Sequence, residues 1–409
     1  MPTRYWLVGR EARVAVDRLE ASGGVRAAES AIDPADLAAA HQTYAAERDA
    51  ALPAGWAGPR PSGGVGGTRK GVKCLHAHYA WHLAGGDDPV GRWVARQLAP
   101  AAAIDCGTNS TRLLIAHPHG ATVERLNRIT RLGAGVDRTG RLAPDAIERT
   151  VTVLEEYRQA MDRHGVVKVR MTATSAARDA GNREEFFSAA EAVVGTRPEL
   201  LSGAEEGRLS FDGATSELDP GTGPWLVVDI GGGSTELVAG PADGGRDLLA
   251  VRSLDVGCVR LTERFLASDP PTAGEIDSAR RFVATLITRA VEQEPGLAGG
   301  HALVGLAGTV ACLASVDQGV DDYHRDRVHH YVLTLDRVDH MLARLSSLTA
   351  AQRRLVPGVE PARADVIVGG TIVLDEIMRR LGFEECLTSE ADILDGLVLS
   401  LGGGPGGSP

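Results

Sequence analysis

At 409 residues, with 43% hydrophobic and 24% charged side chains, the chain has the make-up of a globular protein of two to three domains. No run of about 18 or more uncharged apolar residues occurs, which excludes a membrane-spanning helix. Five scattered cysteines (Cys74, Cys106, Cys258, Cys312, Cys386) without a C-x-x-C pair fit a reducing cytoplasm and not a disulfide framework. The opening MPTRYWLVGREAR has no extended apolar stretch before its charges resume, so a signal peptide is not expected. The net charge of −11 discourages nucleic-acid binding, yet residues 125–183 hold 12 basic against 7 acidic groups, among them Arg128, Arg131, Arg170 and Arg183. A basic segment in an acidic body can focus an anion toward one cleft, or can be a solvated helix face.

Residues 1–99 read as a separate, α-rich module. YWLV (5–8) is strand-like, a helical pattern follows through Val14, Leu19 and Val25, and a second helix starts at Asp33 with Pro34 at its first position and Leu37, Ala40 and Tyr44 on one face. The Gly/Pro/Ser loop 59–71 carries Arg60 and Arg69, with Lys70 and Lys73 beside GGVGG; it can cradle a phosphate or be an ordinary surface loop. VKCLHAHYAWHLAGG is helical and ends in a glycine stop. Its Cys74, His76, His78 and His82 invite a metal reading, but Cys74, His78 and His82 lie on one face of one helix, which cannot close a zinc site alone.

The body begins at residue 100 with strand, glycine turn and strand (101–116). A helix from Pro144 to about His164, a strand at 167–173, a polar turn at 174–182, a further helix and a helix within 200–217 complete a first lobe (100–220). A second lobe (221–387) repeats the scheme: a hairpin, a strand at 249–254, helices around 272–294, a strand at 301–309, a helix from Ala311, a strand at 329–334 and helices to Leu381. A final strand and helix follow, the helix at about 388–401 able to pack back on the first lobe, and the tail 402–409 is expected to be disordered. Strands and helices alternate twice over, so the fold class is α/β, a duplicated domain with a mixed sheet in each lobe.

The duplication is written most plainly in two stretches, IDCGTNSTRLLI (104–115) and VDIGGGSTELVA (228–239). Aligned without gaps they share Asp105/Asp229, Gly107/Gly231, Ser110/Ser234, Thr111/Thr235 and Leu113/Leu237, at a spacing of 124 residues. Each is a strand ending in Asp, a Gly-rich turn and a second strand. Glycine lets a ligand approach the backbone, consecutive N–H groups suit phosphate oxygens, and an Asp at the rim suits a hard cation. Two such hairpins would grip a phosphate chain from both sides of a cleft.

With RLGAGVDRTGRL, MTATSAARDAGN, LLSGAEEGRLSF, GLAGTVACLA and RADVIVGG in the same order, the hairpins resemble the exopolyphosphatase/guanosine-pentaphosphate phosphohydrolase (Ppx/GppA) family over about residues 102–400. The resemblance is to its short, two-domain form. It implies duplicated actin-like ATPase (ribonuclease H-like) domains with a central cleft. It makes Glu206 the general base, and Asp229 and Glu236 metal ligands with Asp105 facing them. Phosphate contacts fall to Asn109, Ser110, Arg112, Arg178, Gly231, Gly232, Gly233, Ser234, Gly308 and Thr309. The implied cofactor is Mg2+, or Mn2+ in its place, and the implied partners are inorganic polyphosphate and guanosine penta- or tetraphosphate, with no nucleic acid or membrane, in a homodimer. Hydrolysis of terminal phosphate from polyphosphate is the expected reaction. The alternatives are conversion of guanosine pentaphosphate, an ATP-dependent kinase, and an idle alarmone sensor. Residues 1–99 resemble a small uncharacterised domain, fused here, that carries no function over.

Overall fold

The computed structural model of the protein describes residues 3–59, 62–117, 121–241, 248–320 and 323–401. Arg60 and the tail 402–409 lie outside these residues. No helix among the described residues is long and apolar enough to cross a membrane.

Among the described residues, the N-terminal module contains five α-helices, Arg10–Ala21, Gly24–Ala31, Pro34–Ala50, Leu75–Leu83 and Pro89–Leu98, packed around Val16, Ala28, Leu37, Leu75, Val90 and Val94. Pro34–Ala50 begins where its sequence says it should: Asp33 accepts from the Ala35 N–H at 2.7 Å, and Leu37, Ala40 and Tyr44 are buried. The pattern through Val14, Leu19 and Val25 is two helices and not one, because Gly23 takes φ 90° between them. YWLV is not a strand. The module offers it no strand to pair with among the described residues, so Trp6 (64% exposed) and Val8 (83%) face solvent, while Tyr5 packs on Tyr44 and the Arg4 N–H donates to the Tyr44 hydroxyl at 2.6 Å. Helix Pro89–Leu98 was not anticipated, although Asp88 caps it through the Val90 and Gly91 N–H groups and Pro89 opens it. The glycine loop folds over His41. Its Val65 N–H donates to His41 Nδ1 at 3.1 Å, and a Cβ on Gly64 would strike the imidazole. Packing on His41 thus accounts for Gly64.

Only Ala99 and Pro100 separate helix Pro89–Leu98 from the first strand of the body. Leu98 and Gln97 are held to lobe one by His117 Nδ1 (3.1 Å to the Leu98 carbonyl) and Lys168 Nζ (3.4 Å to Gln97 Oε1).

Lobe one contains β1 (Ala101–Cys106), β2 (Ser110–Ala116), β3 (Thr122–Ile129), β4 (Lys168–Ala173) and β5 (Glu199–Leu200), in the order β3-β2-β1-β4-β5. Lobe two contains β6 (Trp225–Ile230), β7 (Thr235–Gly240), β8 (Ala250–Leu254), β9 (Ala302–Leu306), β10 (Val332–Thr334) and β11 (Glu385–Thr388), in the order β10-β11-β9-β6-β7-β8. With β10 set aside, the two orders superpose strand for strand. In each, the first hairpin is antiparallel and the first strand pairs parallel with the fourth. All residues of β1, β6 and β7 are buried, as central strands covered by helices on both faces require. The fold is thus the expected duplicated α/β one, with a mixed sheet in each lobe.

Three segments differ from their sequence patterns. β9 ends at Leu306 because Ala307, at φ 67°, turns the chain into helix Ala307–Gln318. The polar turn at 174–182 holds a short helix, Ser175–Asp179, and the strand at 329–334 is confined to Val332–Thr334.

Helix Gly203–Thr215 is clamped by the last helix, Ile393–Leu401, which also lies on β1 and β2 through Ile393, Leu394, Leu397 and Val398. The two helices cross at Gly213 and Gly396, where a Cβ on either would run into the other's backbone (the Asp392 carbonyl and the Leu209 carbonyl). Gly396→Ala is therefore expected to cost about 1–3 kcal/mol by overpacking, read as a lower urea midpoint with an unchanged m-value.

Candidate active site

The two hairpin tips are the same turn made twice. The Gly107 N–H donates to the Ser110 carbonyl at 3.0 Å and the Gly231 N–H to the Ser234 carbonyl at 3.1 Å. They face each other in contact: a Cβ on Gly232 would lie 2.9 Å from Thr108 Cβ, and one on Gly233 would lie 2.5 Å from Ser175 Oγ. The loop carbonyls of Gly231 and Gly232 accept from Cys258, Val259 and Arg260 at the start of helix Cys258–Phe265. That turns the loop's carbonyls away from the cleft. Among the described residues, the N–H groups of Gly232 and Gly233 have no backbone acceptor.

Strand register makes the two arms chemically opposite. Asp105 pairs with Arg112 across β1/β2, and at the equivalent place in β6/β7 Asp229 pairs with Glu236. On lobe one the carboxylate is neutralised: Arg112 Nη2 meets Asp105 at 2.7 Å and Nη1 meets Asp392 at 2.6 Å. On lobe two, two carboxylates stand side by side. Burial, with Asp392 and Asp105 nearby, pushes Asp229 up to about 6 against the pull of Arg112, and burial followed by the Asp229 charge pushes Glu236 up to about 8, although Ser210 Oγ donates to Asp229 at 2.8 Å and Ser253 Oγ to Glu236 at 2.7 Å.

Helix Gly203–Thr215 sorts the neighbouring glutamates of GAEEG. Glu205 is the reciprocal partner of the Ser202 cap and points to solvent, its carboxyl held low by the Ser202 N–H and hydroxyl. Glu206, one residue on, is 9% exposed and lines the cleft. Burial, then Glu236, Asp105 and Asp229, raise its carboxyl well above the usual range, and Arg178, at 3.4 Å, opposes the rise.

Asp105, Asn109, Ser110, Arg112 and Glu206 meet Asp229, Gly231, Gly232, Gly233, Ser234 and Gly308 on one cleft of about 670 Å³ between the lobes. Asp105 Oδ1 and Asn109 Nδ2 are buried without a hydrogen-bond partner, as groups awaiting a ligand are. Glu236 and Arg178 stand behind this surface, in contact with Ser253 and Glu206 respectively. Thr309 is not brought to it. Its hydroxyl lies against Gly370 and the Cys258 thiol in a helix–helix contact.

Several lining residues carried no role in the sequence reading. Arg125 bonds Asp395 at 2.5 Å and approaches Asp392 at 3.5 Å, extending the ion chain from Arg112. The Arg363 guanidinium lies over Gly308, where a side chain would displace it. Arg363 was legible as part of RADVIVGG. Arg125 and Asp392, 267 residues apart, were not, since only the return of helix Ile393–Leu401 to lobe one joins them. Ala307, also on the cleft, keeps its positive φ without glycine's freedom, a strained position of the kind that gathers at functional sites.

The raised carboxyls of lobe two have a consequence for stability. Asp229 and Glu236 bind protons more tightly folded than unfolded. Their stabilising contribution is present below pH about 4 and is lost as pH rises through about 6 and then about 8. The urea midpoint in chelator is expected to fall from pH 6 to pH 8, and the slope to flatten in Asp229→Asn/Glu236→Gln. An equal slope in that double variant would contradict this.

The Ppx/GppA phosphatase family model matches residues 115–402, and a family described as a protein of unknown function (DUF501) matches residues 1–96. Exopolyphosphatase 2 of Mycobacterium tuberculosis is 44% identical over 322 residues, covering 75% of this chain and 99% of the relative. Among solved structures, an exopolyphosphatase-like protein is 36% identical with a TM-score of 0.69, covering 74% of this chain and 99% of that one. The Aquifex aeolicus Ppx/GppA family member is 33% identical with a TM-score of 0.61, covering 74% and 97%. With the family's model matching residues 115–402 and its relatives aligned over about three quarters of the chain, this protein belongs to the Ppx/GppA phosphatase family, with a DUF501 domain fused at its N-terminus.

Proposed function

We propose that this protein is an exopolyphosphatase that releases terminal orthophosphate from inorganic polyphosphate. The observation that carries the reading is Glu206, a buried carboxylate of high proton affinity on a cleft walled by two glycine-turn hairpins. Water attacks the terminal phosphorus as its proton passes to a Glu206 oxygen; the bond from phosphorus to the bridging oxygen breaks, and the shortened chain leaves. Asn109 Nδ2 and the N–H groups of Gly232 and Gly233, which lack partners among the described residues, would hold phosphate oxygens.

The donor set also supports a divalent cation. Asp105 has an orphaned oxygen and Asp229 lines the cleft beside it, with the Glu236 carboxyl behind, an oxygen-rich set short of positive charge that suits a hard ion such as Mg2+ or Mn2+. When bound, that ion supplies neutralisation of the charge developing on the phosphate oxygens. Arg178 tempers the proton affinity of Glu206, and helix Gly203–Thr215, clamped by helix Ile393–Leu401, fixes its position. The five free cysteines support a cytoplasmic setting.

The test is orthophosphate release from short polyphosphate, long polyphosphate and guanosine pentaphosphate in parallel, with Mg2+. Release from polyphosphate ahead of the nucleotide is expected. A preference for guanosine pentaphosphate would reassign the substrate, and no release from any of the three would overturn the hydrolase reading.

A further inference from the structure

The N-terminal module carries a second cluster of ligating side chains, remote in sequence from the cleft residues and independent of the phosphatase reading. Glu20, near the end of helix Arg10–Ala21, meets Cys74 and His76 at the start of helix Leu75–Leu83, each offering one ligand atom within 4.8 Å of the others. From these positions we propose that Glu20, Cys74 and His76 form a binding site for a zinc-class divalent ion.

The sequence pattern pointed to the right helix and the wrong face. His78 is turned into the core, where Nδ1 pairs with Asp88 at 2.7 Å, and the backbone around Gly91 packs against His82. The third ligand comes from another helix, which removes the objection that one helix face cannot enclose an ion.

Each ligand is already held. Cys74 is the N-cap residue, its Sγ fixed by the Ala77 N–H at 3.4 Å. Glu20 Oε1 accepts from the Leu75 N–H at 2.5 Å and sits 3.3 Å from His76 Nδ1. The other ring nitrogen, Nε2, is 3.1 Å from Asp17, one helical turn before Glu20. A carboxylate behind the imidazole is how metal-bound histidines are oriented and their ligand strength raised. The site is half-open, with His76 25% and Glu20 26% exposed, so water can complete the tetrahedron. A thiolate, an imidazole and one carboxylate select zinc over magnesium, whereas the all-oxygen set of the cleft does the reverse.

The experiment is titration of the full chain, reduced and metal-free, with Co2+ followed by displacement with Zn2+. We expect one thiolate-bound Co2+ per chain, read from a thiolate-to-cobalt charge-transfer band that stoichiometric Zn2+ bleaches. Cys74→Ser should abolish the band while keeping the cap, since serine caps helices well. Glu20→Gln, which still accepts from Leu75, gives a second variant should Cys74→Ser fail to fold, and should weaken zinc binding. Asp17→Asn should weaken it about 10–100-fold without removing the band. No band in the wild-type chain would overturn the proposal. So would a band that persists in Cys74→Ser, since Cys258 and Cys312 on the cleft would then hold the metal.

Discussion

Glu206→Gln is expected to lower the rate of orthophosphate release by about 10²–10⁴-fold, the range a positioned general base supplies. The amide keeps the shape of the carboxylate and still accepts from Arg178, but it cannot take a proton from water. The substitution also removes one of four buried negative charges that repel one another, so the urea midpoint should hold or rise. Loss of activity together with unchanged or greater stability separates a chemical role from a structural one. Wild-type turnover in the variant would sink the mechanism. Arg178→Met provides the companion test. Arg178 is the cation that lowers the Glu206 carboxyl, so without it the base stays protonated to higher pH, and the acid limb of kcat/KM should move upward. An unmoved limb would mean that the limb reports another group.

Arg112→Met is expected to be the most destabilising single change at the site, by about 3–5 kcal/mol, the usual cost of leaving buried charges without their partner. Asp105 and Asp392 both end on this guanidinium, and Arg125 reaches only Asp392 and Asp395. The sign of the pH dependence follows. Asp392 is held low in the folded protein because Arg112 and Arg125 outweigh its burial, so its stabilising contribution is present above the ordinary carboxylate range and is lost in acid. The gap between wild type and variant should therefore narrow as pH falls below about 4, through the lowered folded value of Asp392. Adding Asp392→Asn to Arg112→Met should recover part of the loss, because the two sites are directly coupled. An additive double variant would show that the cost lies in packing and not in charge.

Arg112 was read from its motif as a phosphate contact. In the folded chain both of its terminal nitrogens already have carboxylate partners. What sequence conveyed well was anything local. The hairpins were legible because aspartate, turn glycine and hydroxyl fall within a few residues. Helix Pro34–Ala50 was legible because its cap and first-turn proline are adjacent, and Glu206 because it stands in a motif. What sequence hid was assembled across distance. The ion chain from Arg112 through Asp392 to Arg125 exists only once the last helix returns to lobe one. The separate fates of Glu205 and Glu206 depend on which face of helix Gly203–Thr215 lies against β6 and β7. YWLV misled for the complementary reason: β propensity is fulfilled only when a neighbouring strand supplies hydrogen bonds.

The two-residue join between the N-terminal module and β1 has a mechanical meaning. Two residues span at most about 7 Å, and the bonds from His117 and Lys168 leave no slack in them. The module is an outrigger on lobe one, not a bead on a string. Any swing of one lobe against the other carries it along, and with it its exposed positions such as Trp56. A dye placed there and another on lobe two would read the motion of the cleft with neither label touching it.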